Sequence, residues 1–220
     1  MAEDYRVERR NRVRQLKDKA AYDRATVHRI LDSGLVAHAA FVQDGEPVVV
    51  PMIYARDGET LYLHGARKAR VIRLLEATER VAINVTLLDG IVLARSAFNS
   101  SMNYRSVTVY GEPALVEGDE AKLHAMRAIS EHLMPGRWAE LRAPLEKEVR
   151  MTGVIAVAID EASAKISAGL PVDEEEDYEI PVWAGVLPLT TTIGRLVDDD
   201  RLLPGAEPTP AVLALQDRTL

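Results

Sequence analysis

The chain has 220 residues, a formal charge of −7 at neutral pH and no cysteine, with a mass of 24.3 kDa and an isoelectric point near 5.3. That length supports one sizeable core, and the acidic balance excludes a general nucleic-acid binder, which shows a basic surplus on one face. Without cysteine there is no disulfide framework, thiolate nucleophile or Cys-ligated metal centre, which fits a reducing cytoplasm, the expected location. No run approaches the ~18 apolar residues of a membrane span and the charged N-terminus lacks a signal-peptide core, so no membrane partner is expected.

Residues 1–24 form a charged arm without an apolar face. It reads as a surface helix or a strap on a partner subunit, and its basic residues as a solvated face rather than an RNA contact. Thr26 is placed to cap a short helix whose Val27, Ile30 and Leu31 share a face, with Gly34 as its stop. Strand-like runs follow at 35–42, 47–55, 60–64, 80–87, 91–95, 105–111 and 153–160. Asp44-Gly45, Asp57-Gly58 and Asp89-Gly90 stand between successive runs, and Asp-Gly is the strongest short-range hairpin signal. The fold class expected is β-dominated α+β, a closed or nearly closed antiparallel barrel rather than a doubly wound parallel sheet.

Residues 119–133 read as an amphipathic helix through Leu123, Met126, Ile129 and Leu133, broken at Pro135-Gly136, with a further short helix up to Val149. An acidic stretch at 173–179, an apolar segment at 181–189 and a weakly patterned tail close the chain. The division expected is an arm at 1–24, a barrel domain at 25–169, and an extension at 170–220 that packs on the barrel or a partner.

The chemistry gathers in LYLHGARKARVIRLLE, residues 61–76. An alternating strand turns at Gly65 into a helical pattern with Val71, Leu74 and Leu75 on one face, and Arg67, Lys68, Arg70 and Arg73 crowd its start. Cations are disfavoured there by some tenths of a kcal/mol each, so a bound anion such as phosphate would explain them; a solvated face explains them equally well. SMNYRSVTVYG, residues 101–111, brings Asn103, Tyr104, Arg105 and Ser106 to a second strand start.

Together with VVVPMIYARDGETLYLHGARKA at 48–69, these stretches resemble the pyridoxamine 5′-phosphate oxidase-like split-barrel flavoproteins, in the branch that contains the nitroimidazole reductases. The ordered set carries the resemblance: valine-rich strand, P-x-x-Y, Asp-Gly turn, LYLHGARKA, helix, strand, YRSV, G-x-x-x-L-V-E. It extends through TGVIAVAIDEASAK to PVWAGVLPL, from about residue 10 to about residue 190. The resemblance implies a six-stranded antiparallel Greek-key split barrel with flanking helices, a homodimer, and FMN in the grooves between subunits, with FAD possible. It implies that Arg67 and Lys68 hold the flavin phosphate, that Val50, Pro51, Met52 and Ile53 lie along the isoalloxazine, and that Leu63, His64, Gly65 and Ala66 continue that wall. Arg105 and Ser106 match the strand facing the cofactor from either subunit, and Trp183 would cover the flavin from the partner chain.

His64 is the catalytic candidate: an imidazole at the flavin's edge can relay a proton during two-electron reduction. His28, His38, His124 and His132 sit in no H-E-x-x-H or similar pattern, so no metal site is expected. SAFNSSMN ahead of YRSV lacks the Trp or Cys often seen there. The substrate-holding Arg and His of true pyridoxamine phosphate oxidases also have no match, so vitamin B6 chemistry is not implied. The function expected is an FMN-dependent oxidoreductase acting on a small nitroaromatic- or quinone-like acceptor. The alternatives are a redox-sensing flavin module without turnover and a haem- or deazaflavin-binding split barrel.

Overall fold

The computed structural model describes residues 4–220. In chain order, β1 (Ala20–Ala21) and α1 (Arg24–Ser33) lead into β2 (Val36–Gln43), β3 (Glu46–Asp57) and β4 (Thr60–Ala66). Then come α2 (Arg70–Glu76), β5 (Val81–Leu93), β6 (Ser101–Gly111), β7 (Pro113–Leu115) and α3 (Asp119–Leu133). The chain continues with α4 (Glu146–Met151), β8 (Thr152–Ala158), β9 (Glu161–Ser167), β10 (Gly185–Pro188) and α5 (Pro210–Leu213).

The strands lie in the order β1-β9-β6-β5-β2-β3-β4-β8-β7, and β10 joins β5. Every pairing between named strands is antiparallel. One residue, Glu112, separates β6 from β7, and two, Ile159 and Asp160, separate β8 from β9. The two ends of the sheet are therefore the two halves of one bent strand pair, and the sheet closes through these corners. With each bent strand taken once, the barrel strands are β2, β3, β4, β5, β6–β7 and β8–β9, the six-stranded split barrel expected from the sequence. Gly111 stands at the corner, where a Cβ would lie 2.0 Å from the Ala158 carbonyl oxygen.

The turn between β2 and β3 has φ of 50° at Asp44 and 82° at Gly45, the type I′ pattern. The next hairpin turns at Gly58-Glu59, with φ of 56° at Gly58. Asp89-Gly90 is not a turn, and no separate strand runs over 91–95. β5 passes straight through, with Leu88 opposite Tyr104 and Gly90 opposite Asn103, so Asp89 is the extra residue of a bulge. A bulge draws on the same tolerant residues as a turn, and the apolar run beyond Gly90 continues the strand instead of reversing it.

Tyr54, Leu61, Leu63, Ile83, Val107, Val109, Ile155 and Val157 fill the core, joined by Val27, Ile30 and Leu31 of α1 and Ile72 and Leu75 of α2. On α2 the buried pair is thus Ile72 and Leu75, while Val71 and Leu74 are half-buried beside them. The Tyr54 hydroxyl donates to the Leu31 carbonyl and ties α1 to the sheet. Asp23, not Thr26, caps α1, accepting from the Thr26 amide at 2.8 Å. On the outside, α3 covers β3 and β4 with Ala125 and Ile129, and Ala55 and Val154 are fully buried.

Residues 4–23 contain no α-helix. The arm is laid on its own barrel because Tyr5, 2% exposed, belongs to the core. Its hydroxyl donates to Glu59 at 2.7 Å and meets His28 at 3.0 Å, and Arg24 pairs with Glu59 over the Tyr5 ring. The acidic stretch after Leu170 is likewise more than a solvated loop. The Asp173 carboxylate is fully buried and accepts from the backbone amide and Nη1 of Arg95, both at 3.0 Å.

Substituting Gly111→Ala forces the corner backbone apart and should cost about 2 kcal/mol or more, in the range of overpacking a close-packed interior. Urea unfolding should show a lowered midpoint; an unchanged one would mean that the corner does not carry the closure.

Candidate functional site

The flavin-wall residues of the sequence reading come together around one strand. β3 pairs with β2 from Glu46 to Ile53 but with β4 only from Tyr54 to Asp57. Its first eight residues therefore have an edge with no strand partner. In two-residue hairpins the flanking pair is hydrogen-bonded, and the pairs then alternate. Gln43 with Glu46 and Asp57 with Thr60 are those flanking pairs. Residues 47, 49, 51 and 53 consequently aim their carbonyls away from β2 at the open edge. Pro47 and Pro51 occupy positions that cost no ladder hydrogen bond, as edge prolines must.

Side chains alternate along this strand. Val49 is 62% and Ile53 41% exposed, and Pro51 lies between them on the outer face. Met52 and Leu63 point the other way into the core, at 7% and 0%, so only their backbone can serve a ligand. Val50 is half-buried against the core. Leu63 therefore does not continue the wall with its side chain, because the period of two that exposes His64 buries its neighbour.

Beyond Ala66 the chain turns into α2. The Arg67 amide donates to Met151 O at 2.8 Å, fixing the loop at the junction of α4 and β8, and its guanidinium is held by Glu76 at 3.0 and 3.1 Å. Lys68 is exposed and has no hydrogen-bond or ion-pair partner among the described residues. α2 starts only at Arg70, so Arg67 and Lys68 belong to the loop rather than to the helix. An anion there finds a free ammonium and a guanidinium already oriented by a carboxylate that it must share.

His64 lies on the outer face of β4 opposite Val154, next to the row of Ile53. It opens on a cavity of about 250 Å³ lined mainly by Met126, Ile129, Leu133, Met134 and Trp138, with Ser130 and Thr152 as its polar members. Burial holds its imidazole below the ordinary histidine value. It makes no hydrogen bond among the described residues, whereas His28 meets Tyr5 and Glu59, His124 meets Asp57 at 2.7 Å and His132 meets Gly34 O at 2.7 Å. No group of three or more His, Cys, Asp or Glu that could hold a metal exists among the described residues, and no helix is long and apolar enough to cross a membrane.

Arg105, Ser106 and Trp183 are not brought to this cluster within one chain. Arg105 and Ser106 lie on β6, three strand spacings of ~4.8 Å from β3. Arg105 is bound to Asp89 through Nε and Nη2, the shortest contact being 2.7 Å. Ser106 joins a ladder with Thr86 at 2.8 Å and Asn84 at 3.2 Å. Trp183, 65% exposed, lies just ahead of β10 with its ring against Gly185. Sequence reasoning missed Asp89 and Glu76, the partners of both arginines, because each lies many residues away along the chain.

A barrel closed by bent strand pairs in this way is a split barrel. The chain belongs to the pyridoxamine 5′-phosphate oxidase family of flavoproteins, whose model matches residues 23–166. It is similar to the flavocytochrome Anf3 from Azotobacter vinelandii, with 36% identity over 95% of this chain and 97% of that one and a TM-score of 0.90. A FAD and haem binding protein from Mycobacterium smegmatis shares 38% identity over 90% of this chain and 98% of its own, with a TM-score of 0.87. A candidate 5-nitroimidazole antibiotic resistance protein from Bacteroides thetaiotaomicron is 26% identical over 70% of this chain and 90% of its own, with a TM-score of 0.59. No curated protein matches the chain at a significant level.

The depressed His64 fixes a sign. A folded-state value below the unfolded one means that the unfolded chain binds the extra proton as pH falls below the unfolded value of ~6.5, so stability is full above it and declines toward the folded value. Stability of the wild type should fall between pH 7.5 and 5.5, and His64→Leu should remove part of that fall in urea titrations at the two pH values. An equal fall in both proteins would locate the effect elsewhere, His28 being the other depressed histidine.

Proposed function

We propose that the chain binds both a flavin and a haem, and acts as an oxidoreductase toward a small organic acceptor. The observation that carries the reading is His64, an imidazole without a hydrogen-bond partner among the described residues that faces a mainly apolar cavity. Apolar and sulfur-bearing side chains around an imidazole nitrogen would suit a porphyrin, with His64 as the residue that would hold its iron. The two relatives near 37% identity support it, one a flavocytochrome and the other a FAD and haem binding protein. On this reading the residue expected from sequence to relay protons would instead hold the haem iron, and the second relative favours FAD over the FMN expected there.

The open edge of β3 fits the polar rim of a flavin ring. The Val49 and Ile53 amides can donate and the Pro51 carbonyl can accept, while the outer side chains of this row give an apolar surface for the ring. Lys68 and Arg67 would take the phosphate, with Glu76 keeping the Arg67 fork in place. When bound, a flavin supplies two-electron and haem iron one-electron chemistry. The residues bind and orient these groups, and the Met126, Leu133 and Trp138 wall keeps water from His64.

A homodimer belongs to the same reading. The cavity at His64, about 250 Å³, is below the ~300–1,000 Å³ of pockets that enclose a drug-sized ligand, so a macrocycle would need cover from a second surface. Val36, Val49 and Ile53 form an exposed apolar row suited to that contact, and Arg105, Ser106 and Trp183 would reach the cofactor from the partner.

The absorption spectrum of the purified protein, with mass spectrometry of what denaturation releases, tests this. A flavin envelope with a Soret band is expected. His64→Ala should lose the Soret band and keep the flavin, and Arg67→Ala with Lys68→Ala should bind flavin at least tenfold more weakly, from the loss of two charge-assisted contacts. An undiminished Soret band in the first variant removes His64 as ligand, and undiminished flavin in the second removes the phosphate assignment.

A further inference from the structure

Most of the arm's basic residues take no part in holding it to the barrel. Asn11 is 2% exposed, and its side-chain amide donates to the carbonyls of Arg6 and Ala162 at 2.8 and 3.1 Å. Val13 is half-buried, and its backbone amide donates to the Tyr22 hydroxyl at 2.9 Å. With these two turned to the barrel, Arg12 and Arg14 are turned to solvent. Arg9, Arg12, Arg14 and Lys17 are all exposed and have no hydrogen-bond or ion-pair partner among the described residues. Residues 9–19 hold six basic side chains and one acidic, in a chain whose formal charge is −7.

Between Arg14 and Lys17 the chain bends at Leu16, which has φ of 54° and ψ of 60°, the left-handed conformation. Of the three non-glycine residues with positive φ among the described residues, two are aspartates, which tolerate that region, and the third is this leucine. Its side chain is 52% exposed. The bend is held from both sides, by Val13 and by Lys19, whose amide donates to the Leu16 carbonyl at 3.0 Å and whose ammonium donates to the Ser167 hydroxyl at 2.9 Å. A fold under no other constraint places glycine or asparagine at such an apex and buries a leucine. An apolar side chain fixed outward at a strained apex between cations suits a surface that is anionic outside and apolar beneath.

We infer that the arm docks on an anionic lipid surface, with Arg9, Arg12, Arg14 and Lys17 at the phosphates and Leu16 in the acyl boundary beneath them. The protein lies on the bilayer, since no helix among the described residues is long and apolar enough to cross it. An extended strip with one apolar tip fits a fluid planar surface, which needs no matching pocket. An acidic protein or a nucleic acid supplies the charge without a general place for Leu16. Screening confines charge interactions to ~8–10 Å at physiological salt, so the strip is not cancelled by the acidic remainder, which turns the other faces away from the lipid. Docking of this kind is independent of the flavin and the haem.

Sedimentation of the purified full chain with vesicles tests this, using equal parts of phosphatidylglycerol and phosphatidylcholine against phosphatidylcholine alone in ~0.1 M salt. Saturable binding to the anionic vesicles only is expected, and it should weaken as salt is raised to ~0.5 M. Arg12→Gln with Arg14→Gln should weaken it at least tenfold, from two lost attractions to the phosphates. Leu16→Gly should weaken it about fivefold or more without lowering the melting temperature, because glycine accepts the left-handed backbone while the side chain that enters the lipid is gone. A residue of merely structural use would lower the melting temperature and leave binding alone. If one variant fails to fold, the other decides. No binding to the anionic vesicles, equal binding to phosphatidylcholine, an affinity unchanged in either variant, or binding of duplex DNA at a lower protein concentration than the vesicles need would each overturn the inference.

Discussion

The rest of the molecule depends on a close backbone approach at one corner. Where β6 bends into β7 and β8 into β9, Gly111 comes so near the Ala158 carbonyl that no side chain fits between them. The bend lets one strand pair serve both ends of the sheet, with β6 against β9 and β7 against β8. A barrel closed in this way needs neither a long crossover nor a capped edge for most of its strands. It also fixes where strands cannot stay together. β3 leaves one edge open before it meets β4, and β2 separates from β5 after three pairs. Both openings are consequences of closure.

The open edge of β3 would ordinarily invite association with another strand. Here it is short, contains Pro47 and Pro51, and is followed by the cationic loop at Arg67. A planar ligand with donors and acceptors along one rim would satisfy such an edge without forming a sheet, and the loop would take its phosphate. The arrangement gives the acidic chain a local positive site. Glu76 lowers the charge of the loop while fixing the direction of Arg67, so toward an anion the ammonium of Lys68 would carry more of the attraction and Arg67 more of the geometry.

Legibility followed the range of the interactions. The barrel strands, α3 and the I′ turn at Asp44-Gly45 were readable because periodicity and turn chemistry are local. The Asp89-Gly90 bulge was not, because only the register against β6 separates it from a turn. β9, in EASAKIS, was missed because its small alternating residues match a pleated surface only after β6 is beside it. Tyr5 in the charged arm and Asp173 in the acidic run gave no local signal, since each is buried by partners more than fifty residues away: Glu59 for Tyr5 and Arg95 for Asp173. For the candidate site, the loop and β3 row were visible as a stretch of sequence. The cavity at His64 was not, because α3, more than fifty residues further on, makes it.

The same distinction explains why two histidines differ from the other three. His28, His124 and His132 each found a carboxylate, hydroxyl or carbonyl on a neighbouring element. His64 and His38 face openings that the barrel leaves on either side of the β2–β3 hairpin, and neither has a hydrogen-bond partner among the described residues. A polar group left without a partner beside apolar surface costs free energy, more so the more deeply it is buried. Burial already disfavours the charged form of His64. A ligand that accepts from, or is coordinated by, the neutral ring removes that cost, so the cavity's apolar lining and the unbonded imidazole favour binding together rather than opposing each other.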